Sequence, residues 1–221
     1  MKTYRFAYGS GTVEFPLEEK NIIGELHGNV VEPISDIRKE LWASLDAPID
    51  SAPLCRRVTP GSTVALVVSD MSRFWMRQDL VVPHLVDYLT QRCGVSERDI
   101  TIVIANGTHT GGDEAELRTL VTDAVYDRIT VENHNCESED LVYLGTTPHG
   151  TPVSINRTAA LADMVICLGA ATHHVMAGFG GGRKSILPGI SGRETIFHNH
   201  AFSLDAAALR SNPAVGNGIL Q

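Results

Sequence analysis

Thr63-Val64-Ala65-Leu66-Val67-Val68, introduced by the turn Pro60-Gly61 and followed by Ser69-Asp70-Met71-Ser72-Arg73, decides how this chain is read. An unbroken apolar run of strand length, without alternation, is the pattern of a strand covered on both faces, as in a parallel sheet. Ile100 to Ala105 repeats the pattern. Between the two runs the spacing predicts a helix over about 79–92, closed by Gly94 as its C-terminal cap. A second helix is expected over Glu114–Val125, then short strands near 129–133 and 141–144, a strand Pro152–Ile155, a short helix near 157–162 and a buried strand Met164–Leu168. Such alternation gives an α/β class with a largely parallel central sheet flanked by helices. Upstream, residues 3–15 alternate around Gly9-Ser10-Gly11 and read as an N-terminal β-hairpin. Ser35 is placed to cap a helix over about 36–46, whose Ile37, Leu41 and Leu45 recur once per turn.

Composition bounds what the chain can do. With 221 residues, 43% apolar and 20% charged, it is of globular make-up, and one domain is the simplest organisation. Eighteen basic against 26 acidic residues leave a net charge of −8, the wrong sign for a nucleic-acid partner. No apolar run approaches the roughly 20 residues that span a bilayer, so no membrane partner is expected. The opening Met1-Lys2-Thr3-Tyr4-Arg5-Phe6 lacks the pattern of a secretory signal. Cys55, Cys93, Cys136 and Cys167 form no CxxC pair, which suits buried, reduced thiols and a cytoplasmic location. The end of the chain, Ser211 to Gln221, is loop-like and reads as cut short.

Ligands of open parallel sheets bind outside the carboxyl ends of the strands. Three segments at such positions are rich in chemistry: Asp70 to Arg73, Asn106-Gly107-Thr108-His109, and Gly169 to His173-His174. Taken singly, Asp70 is an ordinary helix cap, His109 a polar loop residue and His174 a surface histidine. Acid, guanidinium and imidazoles brought to one sheet edge from distant stretches are harder to explain that way. Downstream lies Gly178-Phe179-Gly180-Gly181-Gly182-Arg183-Lys184-Ser185, followed by Pro188-Gly189 and by His198-Asn199-His200. Glycines let backbone N–H groups approach an anion, and Lys184 supplies a charge or a nucleophilic amine. A P-loop is excluded, because Arg183 stands where that motif requires glycine and the lysine lies far from the strand end. Ser191 and Glu194 have capping-box spacing ahead of a helix that carries His198 and His200. Residues two apart do not share a helical face, so at most one of these histidines binds a given metal. A hydrolytic zinc site finds no support in the spacing.

Asp70 with Arg73, Gly107-Thr108-His109, His174, the Gly180-Gly181-Gly182-Arg183-Lys184 block with Pro188-Gly189, and Asn199-His200, in this order, resemble the N-terminal half of the lactate racemase family, the nickel-pincer nucleotide enzymes. The resemblance runs from about residue 60 to 200. It implies that residues 1–221 are the N-terminal cofactor-binding and catalytic domain of a two-domain enzyme whose C-terminal domain closes over the site. It further implies a nickel-pincer nucleotide (the pyridinium-3-thioamide-5-thiocarboxylate mononucleotide with Ni) held covalently on Lys184, with His200 as the nickel ligand. His109 and His174 would be the acid/base pair, with His173 as an alternative to His174. Arg73 would hold the carboxylate of a small 2-hydroxy acid, Asp70 the cofactor ribose, and Gly180, Gly181 and Gly182 its phosphate. Racemisation or epimerisation by proton-coupled hydride transfer follows, with cofactor-biosynthesis enzymes as partners and no appreciable activity expected of residues 1–221 alone. The family commonly has proline where Phe74 stands, with Trp75 next, and arginine at Thr110, so the substrate pocket is expected to differ. Competing expectations are a non-catalytic phosphate- or nucleotide-binding module, which needs only the glycine loop, and a scaffold without ligand, which leaves the clustered histidines unexplained.

Overall fold

A computed structural model describes residues 1–174 and 177–204. Where the sequence suggests one domain, the chain divides into two compact units, Met1–Ser35 and the part from Asp36 onward. In the first, β1 (Lys2–Tyr8) and β2 (Gly11–Leu17) form the expected antiparallel hairpin, Tyr8 opposite Gly11 and Arg5 opposite Glu14. Gly9 takes φ +57 in the two-residue turn, a conformation that glycine enters without a Cβ clash.

The second unit opens with α1 (Ile37–Asp46). Its cap is Asp36, whose carboxylate accepts the Lys39 N–H at 2.9 Å, and not the neighbouring Ser35. After α2 (Leu54–Arg57) comes β3 (Val64–Ser69), buried along its apolar length as the unbroken run requires. The helical stretch that follows is irregular: a short turn over Gln78–Leu80, α3 (Val82–Asp87), and a wider π turn over Tyr88–Arg92. Gly94 ends it with φ +74. Tyr88 is fully buried, meets Trp42 edge-on at 5.6 Å and donates its hydroxyl to Asp46, docking α1 on this layer. Next come β4 (Ile100–Ala105), α4 (Glu114–Val121) and α5 (Asp123–Tyr126). The single helix expected over 114–125 is broken at Thr122, whose φ of +77 lies outside helical space.

β5 (Thr130–Asn133) completes one side of the sheet, β6 (Val142–Thr146) and β7 (Pro152–Ile155) pair with each other as a separate hairpin, and α6 (Arg157–Leu161) leads into β8 (Met164–Cys167). The sheet is four-stranded and all parallel, in the order β5-β4-β3-β8. The chain thus runs outward from β3 to β5 and returns to β8 on β3's other side. That reversal of direction opens a crevice at the carboxyl ends of β3 and its neighbours. Valine, leucine and isoleucine of β3 and β4 form the core with α3 and α4, each fully buried side chain contributing about 1.5–3 kcal/mol. At the other end of β3, Asp163 accepts both the N–H and the hydroxyl of Thr63, at 2.9 and 2.8 Å, stitching the start of β8 to that of β3.

Cys55 and Cys93 are disulfide-bonded, with Cα atoms 4.7 Å apart, which corrects the expectation of four separate thiols. Thirty-eight residues of sequence separate them, and only the docking of α2 against the end of the helical layer brings them together. Cys136 and Cys167 are free and half-buried. Among the described residues no helix is long and apolar enough to cross a membrane.

Candidate active site at the carboxyl edge of the sheet

The carboxyl ends of β3, β4 and β8 open into one cleft of about 430 Å³. Asp70 and Arg73 reach it from the loop after β3, Asn106 and His109 from the loop after β4, and His174 from β9 (His173–His174), which lies beyond the end of β8. Gly180, Gly181 and Lys184 enter from the glycine segment, and His200 from the last turn of α7 (Arg193–Ala201). Topology therefore gathers groups from stretches up to 130 residues apart. Gly182 lies outside the cleft lining, as does Arg183, which borders a second hollow of about 340 Å³ beneath the segment.

Glycine at 180 and 181 serves close packing. Gly181 has φ +70, and a Cβ there would lie 2.9 Å from the Ala170 carbonyl oxygen. The Gly180 N–H donates to the Thr172 carbonyl at 2.6 Å and the Lys184 N–H to that of Gly181 at 3.0 Å. These two N–H groups are therefore already bonded within the protein and are not aimed at an anion. The segment also grips the β4 loop: the Gly107 N–H donates to the Gly189 carbonyl at 2.9 Å. A Cβ on Gly189 would run into the Ser185 carbonyl, so the Lys184 turn and the β4 edge fit only around glycine.

His174 and His173 point to different surroundings, as neighbours in a strand must. His173 is exposed and packs on Phe179 at 5.1 Å in β10 (Gly178–Phe179), whereas His174 is half-buried in the cleft. The Ala177 N–H donates to His174 Nδ1 at 3.2 Å, so a neutral His174 carries its proton on Nε2. The two histidines of α7 also diverge: His200 lines the cleft, while exposed His198 bonds Thr151 at 3.2 Å and packs on Phe202. The helix itself starts at Gly192, without a side-chain cap; Ser191, the expected cap, donates instead to the Ile186 carbonyl at 2.7 Å.

Electrostatics on this side is unfavourable to positive charge. Burial, then the Arg73 guanidinium, lowers the pKa of Lys184. Burial, followed by Lys184, Arg73 and His200, lowers that of His174. His200 is lowered by burial and by Lys184, against an opposing pull from the Ile196 carbonyl. Each effect disfavours the protonated form relative to the same group in water. Bases whose charged forms are disfavoured, gathered in one cleft with a guanidinium, make that cleft the candidate functional site.

Trp75, which the sequence singled out as altering the pocket, does line the cleft, whereas Ser72 and Asn106, which also line it, were given no role of their own. Ser72 stood beside a recognised arginine, and Asn106 in the quoted loop, but nothing in their spacing distinguished them from ordinary turn residues.

The family model for the lactate racemase N-terminal domain matches residues 8–211. The chain belongs to this family. A lactate racemase of Thermoanaerobacterium thermosaccharolyticum is 28% identical over the whole chain and 51% of its own length, and one of Lactiplantibacillus plantarum is 28% identical over 88% of the chain and 46% of its own. The chain thus spans about half the length of these relatives. The structure of the lactate racemase apoprotein from T. thermosaccharolyticum superposes with a TM-score of 0.79 at 26% identity, covering 94% of this chain and 48% of that one. A Thermotoga maritima protein shares the fold, with a TM-score of 0.58 at 23% identity over 76% of this chain and 40% of its own. Membership in the lactate racemase N-terminal family fits the α/β fold and the parallel sheet described above.

Proposed function

We propose that this chain is the cofactor-carrying half of a 2-hydroxy acid racemase or epimerase, acting with a C-terminal domain that closes the cleft. The observation that carries the reading is the convergence of Lys184, His200, His174, His109 and Arg73 on one cleft. A pure anion-binding module would need only the glycine loop and would have no use for three imidazoles.

The residues fit a nickel-pincer nucleotide. Lys184 is half-buried with its ammonium form disfavoured by burial and by Arg73, which eases access to the amine that a lysine uses to form a covalent bond. His200 is held toward the neutral imidazole that ligates metals. Among the described residues no three His, Cys, Asp or Glu side chains gather to hold a metal ion, so a nickel beside His200 would need further donors from a bound group, such as the S, C, S set of a pincer. Lys184 would hold that group and His200 would ligate its nickel. When bound, it supplies a reversible acceptor for the hydride on the substrate's second carbon.

The chain's own residues do the rest. Arg73, exposed at the mouth, binds the substrate carboxylate with a planar pair of donors. In one direction His109 enters neutral and takes the hydroxyl proton. His174 protonates the oxygen of the planar 2-keto acid once its other face is presented; as the acid it is the imidazolium, so its Nδ1 must first leave the Ala177 N–H and take up a proton. The reverse direction exchanges the roles, so configuration inverts without net redox change. The two histidines come from loops on either side of β3, as a two-sided reaction requires.

The test is inversion of an enantiomerically pure 2-hydroxy acid such as lactate by the loaded full-length protein in deuterated water. The proposal expects inverted product that keeps protium at the second carbon. Deuterium entering that position, or no inversion of any 2-hydroxy acid, overturns it.

A further inference from the structure

Asp70 precedes the short helical turn Met71–Met76 in the position of a cap, yet its side chain makes no cap bond. Its two oxygens are used otherwise. Oδ2 lies 2.6 Å from Nδ1 of His109, and Oδ1 accepts the Ser72 hydroxyl at 2.6 Å. Ser72 Oγ in turn accepts from Arg73 Nη1 at 3.1 Å. Arg73, Ser72, Asp70 and His109 therefore form one chain of hydrogen bonds running from the carboxyl end of β3 to that of β4.

We infer that Asp70 is the positioning residue of His109, and not a contact of the cofactor ribose. The inference rests on the racemase reading for its consequence but on the geometry alone for its content. A carboxylate only accepts hydrogen bonds, so a contact of 2.6 Å requires the proton on Nδ1. The lone pair of neutral His109 is then on Nε2. The Asp70 side chain is 13% exposed and that of His109 57%, so the anchored acid is the fixed partner and the imidazole the group it orients. Ser72 holds the second oxygen and keeps the carboxylate from turning away. When Nε2 takes the substrate proton, the ring gains a positive charge next to a carboxylate that is already in place and needs no rearrangement. The proton passes from the substrate hydroxyl to Nε2, and Asp70 itself stays ionised.

His174 is held in the opposite sense, with Nδ1 accepting the Ala177 N–H. The two neutral rings thus present different groups at Nε2: a lone pair on His109 and an N–H on His174. For a pair that must receive and return a proton on two sides of one carbon, the carboxylate marks His109 as the partner built to become cationic.

Long-range proton–nitrogen NMR on the chain labelled with ¹⁵N-histidine, without cofactor and above the histidine titration range, reads the tautomer directly. We expect Nδ1–H on His109 in the wild type, and a shift toward Nε2–H, the form of an unconstrained imidazole, in Asp70→Ala. In the loaded enzyme, Asp70→Asn is expected to lower kcat by roughly 100-fold with KM little changed and with the cofactor mass on the protein undiminished. An Nε2–H tautomer in the wild type, or a tautomer that Asp70→Ala leaves unchanged, overturns the inference. So does an Asp70→Asn enzyme whose loss of turnover is matched by loss of the cofactor mass, the signature of a ribose contact. The NMR result stands whether or not the protein is a racemase, so its failure is separable from failure of the function.

Discussion

On the β3–β4 side of the cleft the functional groups satisfy one another: Arg73 donates to Ser72, Ser72 to Asp70, and Asp70 holds His109. On the β8–α7 side, Lys184, His174 and His200 are partly desolvated bases among cations, each with its protonated form disfavoured. The first wall is organised before any ligand arrives. The second keeps a tension that an incoming group would relieve, by bonding the amine and by using the neutral imidazole as a donor to metal. The contrast divides the labour. On the proposed reading the glycine segment and α7 would carry the cofactor, the β3–β4 loops would bind the substrate and take its proton through His109, and His174 would face them as the second acid/base.

If that division is right, Lys184→Ala has the largest effect. Racemisation by the loaded protein should be abolished while the thermal midpoint stays unchanged or rises slightly, because a half-buried ammonium beside Arg73 adds little to the fold. Retained activity, or a collapsed melting transition, breaks the comparison. His109→Gln and His174→Gln come next. Each should lower kcat/KM by roughly 10²–10⁴-fold and shift stability by no more than about 0.5 kcal/mol. Cofactor retention, followed by intact mass, sharpens the contrast, since neither change should release the group from Lys184.

Gly189→Ala should act on the fold first. A Cβ there meets the Ser185 carbonyl and the Ala105 methyl. Overpacking of this kind costs about 1–3 kcal/mol, or roughly 2–4 °C of thermal midpoint for each kcal/mol in a chain of this size. An unchanged melting curve would mean that the Lys184 turn is not clamped to β4 as described. The smallest effect concerns His134, 2% exposed, its Nε2 2.9 Å from the Ser191 carbonyl at the foot of α7. Burial lowers its pKa, so the unfolded chain takes up the proton at higher pH than the folded one. Stability from this group is full above the ordinary histidine range and is lost as pH falls from there toward the depressed folded value. His134→Gln should flatten that part of the stability curve in chemical denaturation at stepped pH, and an unaltered slope would assign the acid loss elsewhere.

Much of this arrangement was legible in the sequence because it rests on local signals. The apolar runs of β3 and β4 have one good solution, burial on both faces, and they fix which loops share an edge. Glycine and lysine in the 178–189 segment marked a part of the chain that does reach the cleft. What stayed hidden depends on contacts between distant residues. Thr122 breaks a helix whose sequence carries no proline or glycine to announce it. Cys55 and Cys93 meet only after α2 docks. Asp36 and Ser35 are both good caps, and the entry angle of the chain chooses between them. Asp70 looked like a cap for the same reason, and its partner His109 stands 39 residues away.

The central claim is that Lys184 is the attachment point of the cofactor, and the most direct measurement is intact mass followed by peptide mapping of the protein coexpressed with cofactor-making enzymes. The account predicts a mass increase confined to the peptide bearing Lys184, absent from Lys184→Ala, with nickel retained by the wild type and lost on His200→Ala. An adduct on another residue, or racemisation by protein that carries no adduct at all, would contradict it.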